Sequence, residues 1–148
     1  MGIRFTTITP TIDTNAYGNG DVVGGLLTFP LAFPTTLSGI LEGVTVRDKQ
    51  AANIQLDLVL FSDQPTASTT TDQGAPSIHA NDVNKIVGVI NIATADYTTI
   101  NGKSVATKRD LGLPINSAGR NLYALLISRG TPTYTAASNL SLTIAVKF

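Results

Sequence analysis

Few side chains in this chain of 148 residues are able to do acid–base or nucleophilic chemistry. His79 is the only histidine, Glu42 is the only glutamate, and cysteine is absent. A serine hydrolase needs its nucleophile beside a histidine and an acid, yet the chain has no Gly-x-Ser-x-Gly elbow, and His79 stands in a loop-like stretch without a neighbouring motif. We therefore expect His79 to be a surface or helix-capping residue and no catalytic triad to form.

The nine aspartates offer a second kind of chemistry, because two carboxylates can act as the acid and base of a glycoside hydrolase. The spacing of the aspartates along the chain does not identify any two of them as such an acid–base pair. There is also no tryptophan on which a sugar ring could stack. Aspartate is also common in turns and helix caps. That role is expected for Asp13, Asp21, Asp48, Asp63, Asp72, Asp82 and Asp96. A hydrolase that uses Asp13, Asp21 or Asp57 is kept as a competing hypothesis.

Two segments partly match ligand-binding loops. Residues 13–21 have oxygen donors at alternate positions and a glycine at the sixth, as a calcium loop does, but the twelfth position is Gly24 instead of glutamate. Residues 101–104 end like a phosphate-binding loop, but Tyr97 occupies the place of its first glycine. A turn rich in Asn and Gly is the preferred interpretation of residues 13–21, with calcium binding as the alternative. The sequence predicts no cofactor, no metal and no catalytic residue.

The charge pattern narrows the possible partners. Ten basic and ten acidic residues cancel and are scattered singly, so no basic face is available for nucleic acid. Charged residues make up 14% of the chain, against about 25% in an ordinary soluble domain. No apolar stretch is long enough for a membrane span or has the form of a signal peptide. We expect no nucleic acid, no membrane and no small-molecule substrate, and a weakly charged surface suited to lasting contact with other proteins.

The elements that would carry any site are β-strands. Residues 139–148 alternate apolar and polar side chains almost without fault, which is typical of a strand with one face on the core and one solvated. Residues 39–47 and 54–61 form a predicted pair across the polar connection 48–53. Further strands are expected at residues 3–12, 22–31, 86–93, 104–110 and 121–129. Only residues 77–85 carry a helix signal, with Asn81 or Asp82 as the cap. The fold class is all-β: one domain over residues 1–148, a sandwich of about eight antiparallel strands, jelly-roll-like, with at most one short helix.

Three strands are apolar on both faces, which bears on where contacts form. They are residues 58–61, 86–92 and 122–127. Such strands lie centrally under loops, or they bury their outer face against another subunit. Residues 63–77 are polar and low in complexity, and are expected to be a projecting loop within the domain. The predicted interaction residues are Ile3, Phe5, Val59, Phe61, Thr69, Thr70, Tyr123 and Tyr134.

Segments spread over nearly the whole chain share a pattern with a known group of proteins. They are residues 9–14, Tyr17, 20–21, 24–25, 44–49, 104–109, 112–114 and 129–134. In these segments the chain resembles small structural proteins of tailed bacteriophages. The resemblance implies a β-sandwich virion component of the capsid decoration or cement type, on the capsid exterior after synthesis in the host cytoplasm, with the major capsid protein as partner and no catalytic residues.

Closed symmetry suggests a homotrimer, because a ring of three copies would cover the doubly apolar strands. The alternative function is a receptor- or glycan-binding module of a virion fibre, collar or tail.

Overall fold

Short strands dominate a computed structural model that describes residues 2–30, 32–35 and 37–148. In chain order the strands are β1 (Ile3–Ile8), β2 (Leu27–Phe29), β3 (Ser38–Asp48), β4 (Leu56–Phe61), β5 (Ile86–Ile92), β6 (Tyr97–Ile100), β7 (Lys103–Lys108), β8 (Leu113–Asn116), β9 (Leu122–Ser128) and β10 (Leu140–Lys147). One α-helix, α1 (Ala80–Val83), and one 3-10 helix (Thr94–Asp96) accompany them. The predicted all-β class with one short helix is confirmed.

The strands form two antiparallel sheets. Sheet A has the order β1-β10-β3-β7-β6, with β8 paired to the first part of β3, and sheet B has the order β2-β9-β4-β5. Strands β1 and β3 lie in sheet A and β2 and β4 in sheet B, so the chain crosses between the sheets after each of them. It crosses again between β9 in sheet B and β10 in sheet A. This wrapping is that of a jelly roll, in which two Greek keys close over one core. The short strands β6 and β8 were not predicted.

The core lies between the sheets and follows from strand periodicity. In β10 the residues Leu140, Leu142, Ile144 and Val146 are at most 1% exposed. The side chains between them, from Ser141 to Lys147, are half-buried on the outer face. The alternation predicted for the last strand is therefore confirmed.

Two strand predictions need correction. Strands β3 and β4 lie in different sheets and do not pair. The cause is Asp48, whose carboxylate accepts the backbone amides of Gln50 (2.8 Å) and Ala52 (2.9 Å) and turns the chain from one sheet to the other. The predicted strand at 22–31 shrinks to β2, because Gly24 and Gly25 have φ of 84° and 69°, outside the extended range.

The helix prediction is confirmed, but its capping residue differs. The cap is His79, whose Nδ1 accepts the backbone amide of Asn81 at 3.0 Å. Asp82 is fully buried and binds the preceding loop: it accepts Ser68 Oγ at 2.6 Å, the amide of Ala67 at 3.0 Å and Lys85 Nζ at 2.8 Å. His79 therefore has the structural role expected of it.

The outer side of sheet B carries a second apolar cluster formed by Val22, Phe61, Leu125 and Ile127. Partly buried Leu26, Ile78 and Ile86 pack against it. Residues 63–77 do not project as predicted. Instead, Gln73 and Gly74 exchange backbone hydrogen bonds with Val22 (2.8 and 2.9 Å), which fixes the loop to the body of the protein. For β9 and the end of β4, burial under loops is the correct explanation of the two apolar faces.

Candidate functional site

The outer face of sheet A brings together side chains from strands far apart in sequence. Because directly paired residues point to the same side of a sheet, the register defines rows across it. One row joins Ile3, Lys147, Ile40 and Pro114; the next joins Phe5, Ala145 and Gly43; the third joins Thr7, Thr143, Thr45 and Thr107. The face thus changes from apolar near the chain ends to hydroxyl-bearing further along the strands.

The regular ladder is interrupted on both sides of Glu42 and Gly43. Towards β10 the register shifts between Ala145 and Val146, so Glu42 is the extra residue of a β-bulge. On the opposite side, β7 has ended and β8 has not begun, and the connecting loop meets the strand through the amide of Leu111, which donates to the Glu42 carbonyl at 3.1 Å. The chain's only glutamate is therefore directed onto the face by a local irregularity.

A groove of about 260 Å³ lies at this irregularity. We call it the Glu42 groove. Its lining comprises Phe5, Glu42, Gly43, Thr45, Thr107, Lys108, Arg109, Asp110, Thr143 and Ala145. Gly43 and Ala145 are the smallest residues of the lining. A Cβ at residue 43 would lie 2.9 Å from the carbonyl oxygen of Lys108, so a larger residue would force the neighbouring strand to move.

The polar groups of the Glu42 groove are partly engaged with one another and with their surroundings. Thr143 Oγ1 lies 2.7 Å from Thr7 Oγ1 and accepts a 2.7 Å hydrogen bond from Arg47. Lys108 forms a 2.8 Å ion pair with Asp96 and holds the pKa of that carboxyl below its usual range. Arg109 and Asp110 make no side-chain hydrogen bond or ion pair within the described chain, which leaves them available to a ligand.

An exposed apolar area adjoins the groove where the chain ends meet. We call it the terminal patch and define it as Ile3, Ile40, Pro114 and Phe148. Ile3 is 55% exposed, and Ile40 and Phe148 are 38% and 37% exposed. Gly2 and Phe148 exchange two 3.0 Å backbone hydrogen bonds, which hold the terminal segments together. Phe5, at 71% exposure, stands between the terminal patch and the Glu42 groove.

The predicted interaction residues divide among three environments. Ile3 and Phe5 are exposed on the outer face of sheet A. Val59 and Tyr123 are half-buried beside the second apolar cluster, while Thr69 is exposed and Thr70 half-buried in the loop over sheet B. These six do not form one surface.

Phe61 and Tyr134 were wrongly predicted as contact residues. Phe61 is fully buried within the second cluster. Tyr134 is 1% exposed in the main core, where its ring packs edge-on against Tyr17 at 5.9 Å. Phe61 is buried because loops cover the outer side of sheet B, and Tyr134 is buried because its loop folds over the main core; neither kind of burial can be read from the sequence around the residue.

The carboxylates considered for catalysis or metal binding serve the backbone and neighbouring side chains. Asp13 accepts the amide of Asn15 at 2.7 Å, and Asp21 accepts the amide of Gly18 at 2.6 Å. Asp57 pairs with Arg129 Nε at 2.7 Å. Over residues 2–30, 32–35 and 37–148, no three His, Cys, Asp or Glu side chains converge to hold a metal ion. In the same residues, no helix is long and apolar enough to cross a membrane.

Several residues of the face were missed by reasoning from the sequence, above all Glu42, Ile40 and Phe148. One signal could have found the bulge. The buried residues of β3 include Leu41 and then Val44 and Val46, so the inward positions change from odd to even within the strand. Such a change of parity requires one extra residue between Leu41 and Val44.

Comparison with known proteins gives no family assignment. No family model matches the chain, and no curated protein matches it. Among solved structures, it is similar to a carbohydrate-binding module from glycoside hydrolase family 9 (Cel9A) of Ruminococcus flavefaciens FD-1, with 13% identity, a TM-score of 0.41 and coverage of 97% of this chain and 98% of that chain. A structure of Desmodium yellow mottle tymovirus matches with 10% identity, a TM-score of 0.27 and coverage of 99% and 87%. No conclusion on function rests on similarity at this level.

Proposed function

We propose that this protein is a non-catalytic structural component of a tailed-phage virion that docks on the capsid exterior through the terminal patch. The observation that carries the proposal is the cross-strand row from Ile3 to Pro114, in which the exposed apolar side chains of Ile3, Ile40 and Pro114 lie on both sides of Lys147. Contiguous exposed apolar area marks protein interaction sites. Its partner is the major capsid protein, as the resemblance to phage structural proteins implies.

The composition of the face suits a lasting contact. A stable interface has an apolar centre and a polar rim and buries about 1,200–2,000 Å² in total. The terminal patch would supply the centre, and Lys147 lies within the row with its Nζ 3.9 Å from Glu42. The protein would be made in the host cytoplasm and act on the assembled capsid as a homotrimer.

Capsids that lack this protein provide the test. Wild-type protein is expected to cosediment with such capsids, and a double variant, Ile3→Ser with Ile40→Ser, to bind at least about tenfold more weakly because the apolar centre is lost. The matched control is Ile100→Ser, because Ile100 is also exposed (64%) but lies at the far edge of sheet A. Circular dichroism verifies that each variant is folded.

Two results would count against the proposal. One is failure of the wild-type protein to bind capsids that lack it. The other is equal binding by the wild type and the double variant.

A further inference from the structure

We propose that the Glu42 groove is a binding site for a neutral oligosaccharide. This second binding function goes beyond capsid docking, because the Glu42 groove and the terminal patch are lined by different residues. Four features of the groove carry the inference: its shape, its exposed aromatic ring, its hydrogen-bonding groups and its balance of charge.

The groove runs across the strands, from Phe5 on β1 to the Arg109–Asp110 loop after β7. Neighbouring strands are about 4.8 Å apart, so this path over β1, β10, β3 and β7 covers about 14 Å. Gly43 and Ala145 lie between the two ends and keep the floor low. The shape therefore suits an extended chain of sugar rings better than a single ring.

One wall offers an apolar surface and the other offers polar groups. The Phe5 ring is 71% exposed although it belongs to a strand, so an aromatic face is available for the C–H side of a sugar. Opposite it are the Glu42 and Asp110 carboxylates and the Arg109 guanidinium. A concave site with one apolar wall and a few polar groups that orient the ligand is typical of small-molecule binding. Sugar hydroxyls both donate and accept hydrogen bonds, and these groups supply both kinds of partner.

The charges of the groove favour a neutral ligand. Lys108 pairs with Asp96 at 2.8 Å, Glu42 lies 3.9 Å from Lys147 Nζ, and Arg109 and Asp110 carry opposite charges. Arg47, beside the groove, donates to Thr143 at 2.7 Å. A sulfated or phosphorylated glycan would therefore find no cluster of unpaired cations to bind its anionic groups. We therefore expect anionic chains to bind more weakly than neutral ones.

An extended peptide is a poorer occupant than an oligosaccharide. Peptides that join a sheet add to an open edge, where backbone groups are unpaired. The Glu42 groove instead crosses β10, which is paired on both sides, and the part of β3 where the Leu111 amide already donates to the Glu42 carbonyl. A ligand in this groove must form its hydrogen bonds with protein side chains instead of backbone groups, as the hydroxyls of a sugar can.

Titration calorimetry with a panel of oligosaccharides tests the proposal. The panel contains neutral glucan, mannan and galactan oligomers, the corresponding monosaccharides, heparin fragments and an uncharged peptide. We expect a neutral oligomer to bind with a Kd of about 1 mM or tighter. Its monosaccharide should bind more weakly, which separates an extended site from a pocket for free sugar.

Three variants locate the binding. Phe5→Ala removes the aromatic wall and Ala145→Leu fills the floor, and each is expected to weaken binding by about tenfold or more, while Glu42→Gln weakens it severalfold. The control Ile100→Ala removes an exposed apolar side chain elsewhere on sheet A and should leave the affinity unchanged. Phe5 is exposed, so its variant keeps the test valid even if Ala145→Leu fails to fold.

The proposal is overturned if no neutral oligomer binds, if only heparin or the peptide binds, or if Phe5→Ala binds like the wild type. Its failure is distinguishable from failure of capsid docking. Glu42→Gln is tested for capsid cosedimentation, which should persist, and the Ile3→Ser, Ile40→Ser variant is tested for oligosaccharide binding, which should also persist.

Discussion

Single buried polar residues hold the loops of this protein to its sheets. Asp82 joins the loop that covers sheet B to the short helix, through contacts with Ser68, Ala67 and Lys85. Tyr17 joins two other loops: its hydroxyl donates to Asp72 Oδ1 at 2.8 Å and accepts the amide of Asp13 at 2.7 Å. At the residue scale, the sequence identified Asp13, Asp72 and Asp82 as turn or cap residues but did not show which partners they bind.

The stability of the fold should decline in acid. Lys85 and then Ser68 hold the pKa of Asp82 below its usual range, and Lys108 does the same for Asp96. Above about pH 5 these carboxylates are ionised in folded and unfolded chains alike, so their stabilisation is fully present. As the pH falls below that value, the unfolded chain binds protons first and the stabilisation is lost.

Melting temperatures measured from pH 6 to pH 2 test this expectation. The wild-type Tm should fall on acidification, while Asp82→Asn should melt lower at pH 6 and show a weaker dependence on pH. Asp63→Asn is the control, because Asp63 is exposed and bonds only to the amide of the next residue. A pH dependence identical in the wild type and Asp82→Asn would contradict the assignment.

The two core tyrosines should differ in what their hydroxyls contribute. Tyr17→Phe leaves the Asp13 amide without its acceptor and Asp72 Oδ1 without the hydroxyl that donates to it. This loss should lower the free energy of unfolding by about 1–3 kcal/mol. Tyr134 is equally buried, but its hydroxyl makes no hydrogen bond in the described part of the chain, so Tyr134→Phe should cost less. Urea unfolding of both variants measures the difference, and equal losses would argue against the role of Tyr17.

At the scale of elements, the periodicity of the sequence predicts most strands. The register in which the strands pair then determines which residues form the Glu42 groove. The strands found from alternation or apolar runs include β1, β4, β5, β9 and β10. Strand β6, with the sequence Tyr-Thr-Thr-Ile, is mostly exposed, so it lacks the apolar period that would reveal it. The Glu42 groove could not be predicted, because Phe5, Gly43 and Ala145 meet only through cross-strand pairing.

Phe61 should behave as a core residue of the loop-covered side of sheet B. Phe61→Ala is expected to lower the free energy of unfolding by about 3–5 kcal/mol, since it opens a cavity in a closed cluster. Its neighbour on the same strand provides the comparison: Val59 is half-buried, and Val59→Ala should cost about 1 kcal/mol. Chemical denaturation measures both, and a loss below that of Val59→Ala would show that the cluster is not closed.

At the scale of the whole molecule, the homotrimer remains a prediction, but fewer exposed apolar strands are left for its contacts. Burial of the outer faces of β9 and the end of β4 is already provided by the chain itself. What is left on that side is the edge strand β5, where Val89 is 56% exposed opposite half-buried Val59. If copies associate there, β5 is the strand that meets a neighbour.

Sedimentation equilibrium tests the homotrimer directly. The expected mass is about three times that of the 15.5 kDa chain. Val89→Lys should shift the population to monomers, because it places a charge in the contact, while Ile100→Lys should not. A mass of one chain at every concentration would rule the trimer out.

The β-bulge separates the two surfaces of the sheet A face in their dependence on one residue. Because Glu42 is the extra residue, a chain without it would restore the regular alternation of β3, with Leu41 and Val44 still inward and Ile40 and Gly43 still outward. One codon therefore adds a carboxylate to the Glu42 groove without deciding whether Ile40 is exposed in the terminal patch. A lineage that lost this codon would keep the terminal patch and lose only the carboxylate of the groove.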